Sequence, residues 1–152
     1  MRTEIKLLIL LICIFVSSCK KEKGKISPQT ISLLQNKWTL ISSSVVFPTN
    51  TSLNSTYTGV STDYYQFGSN DSLTINQVGQ VSILTIPLSI TTKYSLIDNN
   101  RIVYSLNPAI EINIKTLTNN LLVLTNSATS TFTNSGVVVA TYNGTKTDSL
   151  RR

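Results

Sequence analysis

Few of the residue types that carry catalysis occur in this chain. Among 152 residues there is no histidine, and the only cysteines, Cys13 and Cys19, stand close to the N-terminus. Cys/His zinc sites, Ser-His-Asp triads and Cys-His dyads need groups that the rest of the chain does not offer. Carboxylates remain, and from Ile26 onward there are five: Asp63, Asp71, Asp98, Glu111 and Asp148. Asp71, Asp98 and Asp148 sit in turn-like or terminal settings, which leaves Asp63 and Glu111. A glycosidase needs two carboxyl groups at a set separation, and nothing in the spacing brings these two together. The expectation is a protein that is not an enzyme, with no catalytic residue, metal ligand or cofactor.

Cys19 is the residue with a chemistry of its own. It follows a short charged start, residues 1–6, and an unbroken apolar run, LLILLICIFV, at residues 7–16. Ten residues suit a signal-peptide core, whereas a helix needs about 20 to span a bilayer. Val16-Ser17-Ser18-Cys19 resembles the lipobox of bacterial lipoproteins, an aliphatic residue and two small ones before the cysteine. The resemblance implies cleavage before Cys19, a diacylglycerol on its thiol and acylation, for example by palmitate, of its new α-amine. Two or more acyl chains anchor a protein stably where one does not. Cys13 would leave with the signal, so the mature chain could form no internal disulfide. Lys20, where aspartate would retain a lipoprotein at the inner membrane, implies delivery to the outer membrane of the cell envelope, facing either side.

The domains expected are therefore a signal peptide at 1–18, a lipidated cysteine and basic tether at 19–25, and a folded domain at 26–152. Charge follows the same division. Of the net +6, residues 1–19 carry +1, the tether KKEKGK at 20–25 carries +3, and the folded domain only +2. The tether reads as a solvated spacer whose lysines can also meet anionic headgroups. A nucleic-acid partner needs a clustered basic face or stripe; the domain's basic residues are scattered along its sequence, so no nucleic acid is expected.

Within the domain, Ser27-Pro28 opens a short helix, since serine caps and proline suits the first helical position. Ile31, Leu33 and Leu34 form its apolar face. From Trp38 the pattern becomes β. Strands are expected over 38–47, 63–67, 72–78, 81–86, 89–97, 101–106, 110–117, 121–125, 129–133 and 137–143, with a long polar loop at 48–62. In the 110–117 segment, Ile110, Ile112 and Ile114 alternate with Glu111, Asn113 and Lys115. Period-two alternation with turns every 8–12 residues argues for an antiparallel barrel or sandwich, and closure would remove exposed edges.

Three stretches resemble the lipocalin-like lipoproteins of bacteria. Leu34-Gln35-Asn36-Lys37-Trp38-Thr39-Leu40 is similar to the Gly-x-Trp start of lipocalins, with Asn36 in place of the glycine. Residues 63–73, DYYQFGSNDSL, resemble the second strand and turn of that group. Residues 114–124, IKTLTNNLLVL, resemble its penultimate hairpin. The resemblance implies an all-β fold, a small antiparallel lipocalin-like barrel of about eight strands with a short N-terminal helix. It implies that Trp38 plugs the barrel bottom beneath a late arginine, Arg151 or Arg152. It also makes Phe47 and Tyr57, at the long loop, possible ligand contacts. Thr62-Asp63-Tyr64 copies a second lipocalin motif, but at 26 residues beyond Asn36 the match is taken as coincidence.

The reading that follows is a lipid-anchored module, held to the membrane through Cys19, whose barrel takes up a small apolar ligand. The alternative is a barrel filled by its own side chains that binds a protein. Asp71-Ser72-Leu73 and Asp148-Ser149-Leu150 also match a bacterial O-glycosylation pattern at Ser72 and Ser149.

Overall fold

A computed structural model describes residues 25–79 and 88–152 of the chain. The signal segment, Cys19 and the strand expected at 81–86 lie outside these residues. The first element is helix α1, Pro28–Leu34, where Ser27 accepts the amide of Gln29 and Pro28 takes the opening position. Strands follow at Lys37–Val46 (β1), Ser55–Thr58 (β2), Tyr64–Phe67 (β3), Ser72–Gln77 (β4) and Leu88–Asp98 (β5). Arg101–Tyr104 (β6), Ile110–Leu117 (β7), Leu121–Asn134 (β8) and Val137–Arg151 (β9) complete the series.

All pairings are antiparallel, and β9 returns to β1 to close the sheet. On its other edge β1 meets β3 along Lys37–Thr39 and β2 along Ser42–Val45. β2 and β3 are thus one stave interrupted at residues 59–63, and the barrel has eight staves. The β1–β9 pairing removes the edge that an open sheet would leave on β9 from Thr145 to Arg151.

The first stave changes phase halfway up. A bulge between Leu40 and Ser42, seen in the register against β9, inserts one residue and moves the next inward position to Ser43. Trp38 and Leu40 face the core below it, and Ser43, Val45 and Phe47 above it; all five are buried. β9 keeps its alternation, so Leu150 stands opposite Leu40 and Asp148 opposite Ser43.

α1 covers one end of the barrel, here the helix end, with the turns at 68–71, 99–100 and 118–120. Leu34 is buried, and its carbonyl accepts the Trp38 indole N–H at 3.0 Å. The backbone N–H of Ser27 donates to Asn99 at 2.6 Å, tying the helix to the β5–β6 turn. The core that holds Trp38 includes Phe67, Leu73, Ile102, Leu122, Leu124 and Leu150, each no more than 2% exposed.

Three expectations need correcting. The polar stretch at 48–62 is not all loop: it holds a 3-10 turn at Thr51–Leu53 and strand β2. Its serines and threonines find a ladder on β1, which their turn-like composition hid. The two segments at 121–125 and 129–133 are one strand, because Asn126, Ser127 and Ala128 pair with Lys146, Thr145 and Gly144. β9 likewise continues to Arg151 rather than ending near 143.

These extensions create an arm. β7 pairs with β8 only as far as Thr125, and β1 with β9 only as far as Thr145. Beyond that, residues 128–134 and 137–144 pair with each other alone among the described residues. Ser135 and Gly136, both at positive φ, make the tight turn. Phe132 and Tyr142 meet edge to face at 5.8 Å.

The basic residues of the domain are scattered in sequence but not in space. Lys37 begins β1, Arg101 begins β6, and Arg151 and Arg152 end the chain. Lys93 reaches the Asn70 carbonyl, and Lys115 lines a groove beside α1. Because antiparallel strands return to the same two ends, six of the seven basic residues after Ile26 gather toward the helix end. The seventh, Lys146, lies inside.

Candidate functional site

Halfway up the barrel the apolar interior gives way to a polar cluster. Asp148 sits on the inward face of β9, 3% exposed. Ser43, brought inward by the bulge in β1, donates its hydroxyl to one carboxylate oxygen. Tyr65 from β3 donates to the other at 2.7 Å. Lys146, two residues earlier on the same face of β9, places its ammonium on that second oxygen and lies 3.4 Å from the Tyr65 hydroxyl.

A lone ionised carboxylate in a barrel interior is costly, and pairing with hydrogen bonds is what makes it tolerable. Three donors from three staves meet that need here. The carboxylate in turn shapes its neighbours. Burial first, then the charge and hydrogen bond of Asp148, push the Tyr65 phenol well above its ordinary value. Burial and the Asp148 charge push Tyr104 up to about 12. Both phenols are neutral near pH 7, and Tyr65 keeps the proton that it donates to Asp148. The Lys146 side chain keeps 24% of its surface exposed against 4% for Asp148, so Lys146 is the more exposed member of this ion pair.

A second buried carboxylate organises the interrupted stave. Asp63, wholly buried, accepts the Tyr57 hydroxyl at 2.6 Å and the amides of Val60 and Val78 at 3.0 and 2.7 Å. Burial pushes its carboxyl up, but these hydrogen bonds outweigh it and hold the carboxyl below its ordinary value. Asp63 thus joins the 59–63 crossing to the end of β4.

The residues singled out in the sequence fall in several places. Trp38 is the core plug at the helix end, and the guanidinium of Arg152 lies 5.8 Å from its ring centre; Arg152, not Arg151, is the covering arginine. Phe47 is buried against Gly144, where a side chain would strike its ring. Tyr57 is held by Asp63 and packs on Gly79. Asp71, at φ 60°, and Asp98, which accepts Asn100 and Arg101, are turn residues as expected. Asp63 and Glu111 do not meet, since Glu111 is exposed and paired with Arg101 at 3.4 Å. Ser72 bonds Asn70 in its turn, and Ser149 is half-buried between β1 and β8. Cys19 lies outside the described residues.

Asp148 is the correction that matters most. Sequence position assigned it a terminal setting, yet it is the centre of the interior cluster. The signal was present: Lys146, Asp148 and Leu150 share one face at period two, so a buried Leu150 carries Asp148 inward with it.

Among the described residues, no three Asp, Glu, His or Cys side chains gather as metal ligands would, and no helix is long and apolar enough to cross a membrane. Comparison with protein-family models, characterised proteins and solved structures finds no match.

Proposed function

We propose that this chain is a membrane-anchored bacterial lipoprotein of lipocalin-like type, acylated at Cys19, whose barrel presents the β8–β9 arm to a protein partner in the cell envelope. The observation that carries the reading is the arm itself. Phe132, Val137, Val138 and Val139 are 44–65% exposed on it, where a soluble surface usually avoids clustered apolar groups. Its strands also have outer edges that no other described strand pairs, the arrangement that adds a strand from another protein. Below the arm, the buried side chains of Trp38, Phe67, Leu73, Leu122 and Leu150 pack the helix half, and Ser43, Tyr65 and Lys146 surround the Asp148 carboxylate.

Two measurements test this. Intact-mass analysis of membrane-extracted protein is expected to give a chain that starts at Cys19 with added acyl mass. A photocrosslinking side chain at Val138 is expected to capture one discrete protein in intact cells, and one at exposed Lys93 to capture none. Equal capture at both positions, or none at Val138, overturns the partner reading.

A small ligand is the second reading, and Lys146 favours it. A molecule with an apolar body and an acidic head would place its head on Lys146, the more exposed member of the ion pair with Asp148. Native mass spectrometry of protein from its own envelope, compared with Lys146→Met, decides this: a co-purifying species lost in the variant supports the ligand.

A further inference from the structure

The two ends of the barrel differ in charge more sharply than the net composition suggests. Toward the helix end lie Lys37, Lys93, Arg101, Lys115, Arg151 and Arg152, opposed by Asp71, Asp98 and Glu111, a net of +3. The two remaining acidic residues of the domain, Asp63 and Asp148, are buried, and Lys146 faces inward. Residues 48–62, 72–92, 105–109 and 126–145 are free of Asp, Glu, Lys and Arg, and among the described residues the opposite end is built from within these segments.

The tether leaves from the charged end. Lys25 is exposed, and the next residues are pinned there: the backbone of Ser27 on Asn99, and Ile26 beside Ile31, Asp71 and Tyr94. Between Cys19 and Lys25 the chain spans at most about 20 Å. β9 alone, at 15 residues, is about 50 Å long. The tether adds its own net +3 next to the +3 of the barrel end.

We infer that the helix end is a membrane-docking surface for anionic lipid headgroups, which seats the barrel on the bilayer and points the uncharged arm away from it. The inference rests on the reading of Cys19 as the lipid anchor. Its physical basis is that basic side chains close to an anionic leaflet are attracted over about a Debye length. An uncharged end feels no such pull. Docking through the helix end also leaves the arm free for a partner, because residues 25–27, where the described chain begins, and the arm lie at opposite ends of the barrel.

The test uses the acylated protein reconstituted in vesicles, labelled with a fluorophore at Asn119→Cys in the β7–β8 turn or at Ser135→Cys at the arm tip. Quenching is read from spin-labelled headgroups. In vesicles containing phosphatidylglycerol, the Asn119 label is expected to be quenched several-fold more than the Ser135 label. The contrast should shrink in phosphatidylcholine vesicles and in about 1 M salt, where the Debye length is about 3 Å. It should shrink too in a folded Lys37→Glu/Lys93→Glu/Lys115→Glu variant. Equal quenching at both sites, the reverse order, or no response to lipid charge overturns the inference. The anchor reading fails separately, if the chain carries no acyl mass. In that event sedimentation of the unacylated chain with phosphatidylglycerol but not phosphatidylcholine vesicles still supports the docking surface, and equal sedimentation rejects it.

Discussion

Tyr65 and Asp148, 83 residues apart, are joined by a hydrogen bond of 2.7 Å across the barrel interior. The bond links the interrupted stave to the final strand, and Ser43 and Lys146 complete the shell around the same carboxylate. Removing the carboxylate is therefore more damaging than removing any single donor. Asp148→Ala should cost up to about 3 kcal/mol, the lower end of the range for breaking a buried pair, because Lys146 can turn toward solvent. The double variant Asp148→Leu/Lys146→Met should recover much of that loss. Urea unfolding checks both; a double variant as unstable as the single one would show that the cluster matters for more than charge compensation.

The buried phenols give stability a definite alkaline limit. Tyr104 titrates at about 12 in the folded protein and near 10 when unfolded. Between those values the unfolded chain has released a proton that the folded one retains. Stability is thus complete below about pH 10 and falls as pH rises toward 12. Tyr65, raised for the same reasons, acts in the same direction. Tyr104→Phe should flatten part of this fall, and phenolate absorbance followed alongside chemical unfolding measures it.

Trp38 reports on the helix end. Wholly buried and bonded to Leu34, it should show blue-shifted emission that moves red on unfolding. Trp38→Ala should cost about 3–5 kcal/mol, whereas Arg152→Ala, which removes an exposed cation above the ring, should cost only about 0.5–1 kcal/mol. A red emission from the folded protein would contradict the packing described.

Asp63 makes a prediction at the acidic side. Its carboxyl is lowered in the folded state, so the stability it contributes is present above its unfolded value, near 4, and is lost as pH falls through the lower folded value. Asp63→Asn keeps the size but weakens acceptance from Tyr57, Val60 and Val78, at a cost of about 1–3 kcal/mol. Hydrogen exchange should accelerate at the amides of Val60 and Val78 before it does so at Leu122 or Leu124. Unchanged exchange at both valines would rule out the clamp.

Much of the fold could be read from residue order because its signals are local. Ser27-Pro28 marks the helix start, and the alternation of Ile110, Ile112 and Ile114 marks β7 with the bounds expected. Trp38 and a late arginine were legible as the covered end. The misread segments, 48–62 and 126–128, are rich in serine, threonine and asparagine, residues that suit turns and strands alike; only a partner strand decides between them.

What the sequence determined by itself is the alternation of each strand and the concentration of charge outside four uncharged segments. Both are properties of short windows of chain. The tertiary structure decided which windows meet. One inserted residue near Ile41 turned Ser43 inward, and closure of β9 on β1 set Asp148 opposite it. Antiparallel return brought six scattered cations to one end. Register across strands depends on partners far away in the chain, and a one-residue shift reverses every side chain it carries. For that reason the cluster around Asp148 and the charged end are properties of the closed barrel, not of any segment within it.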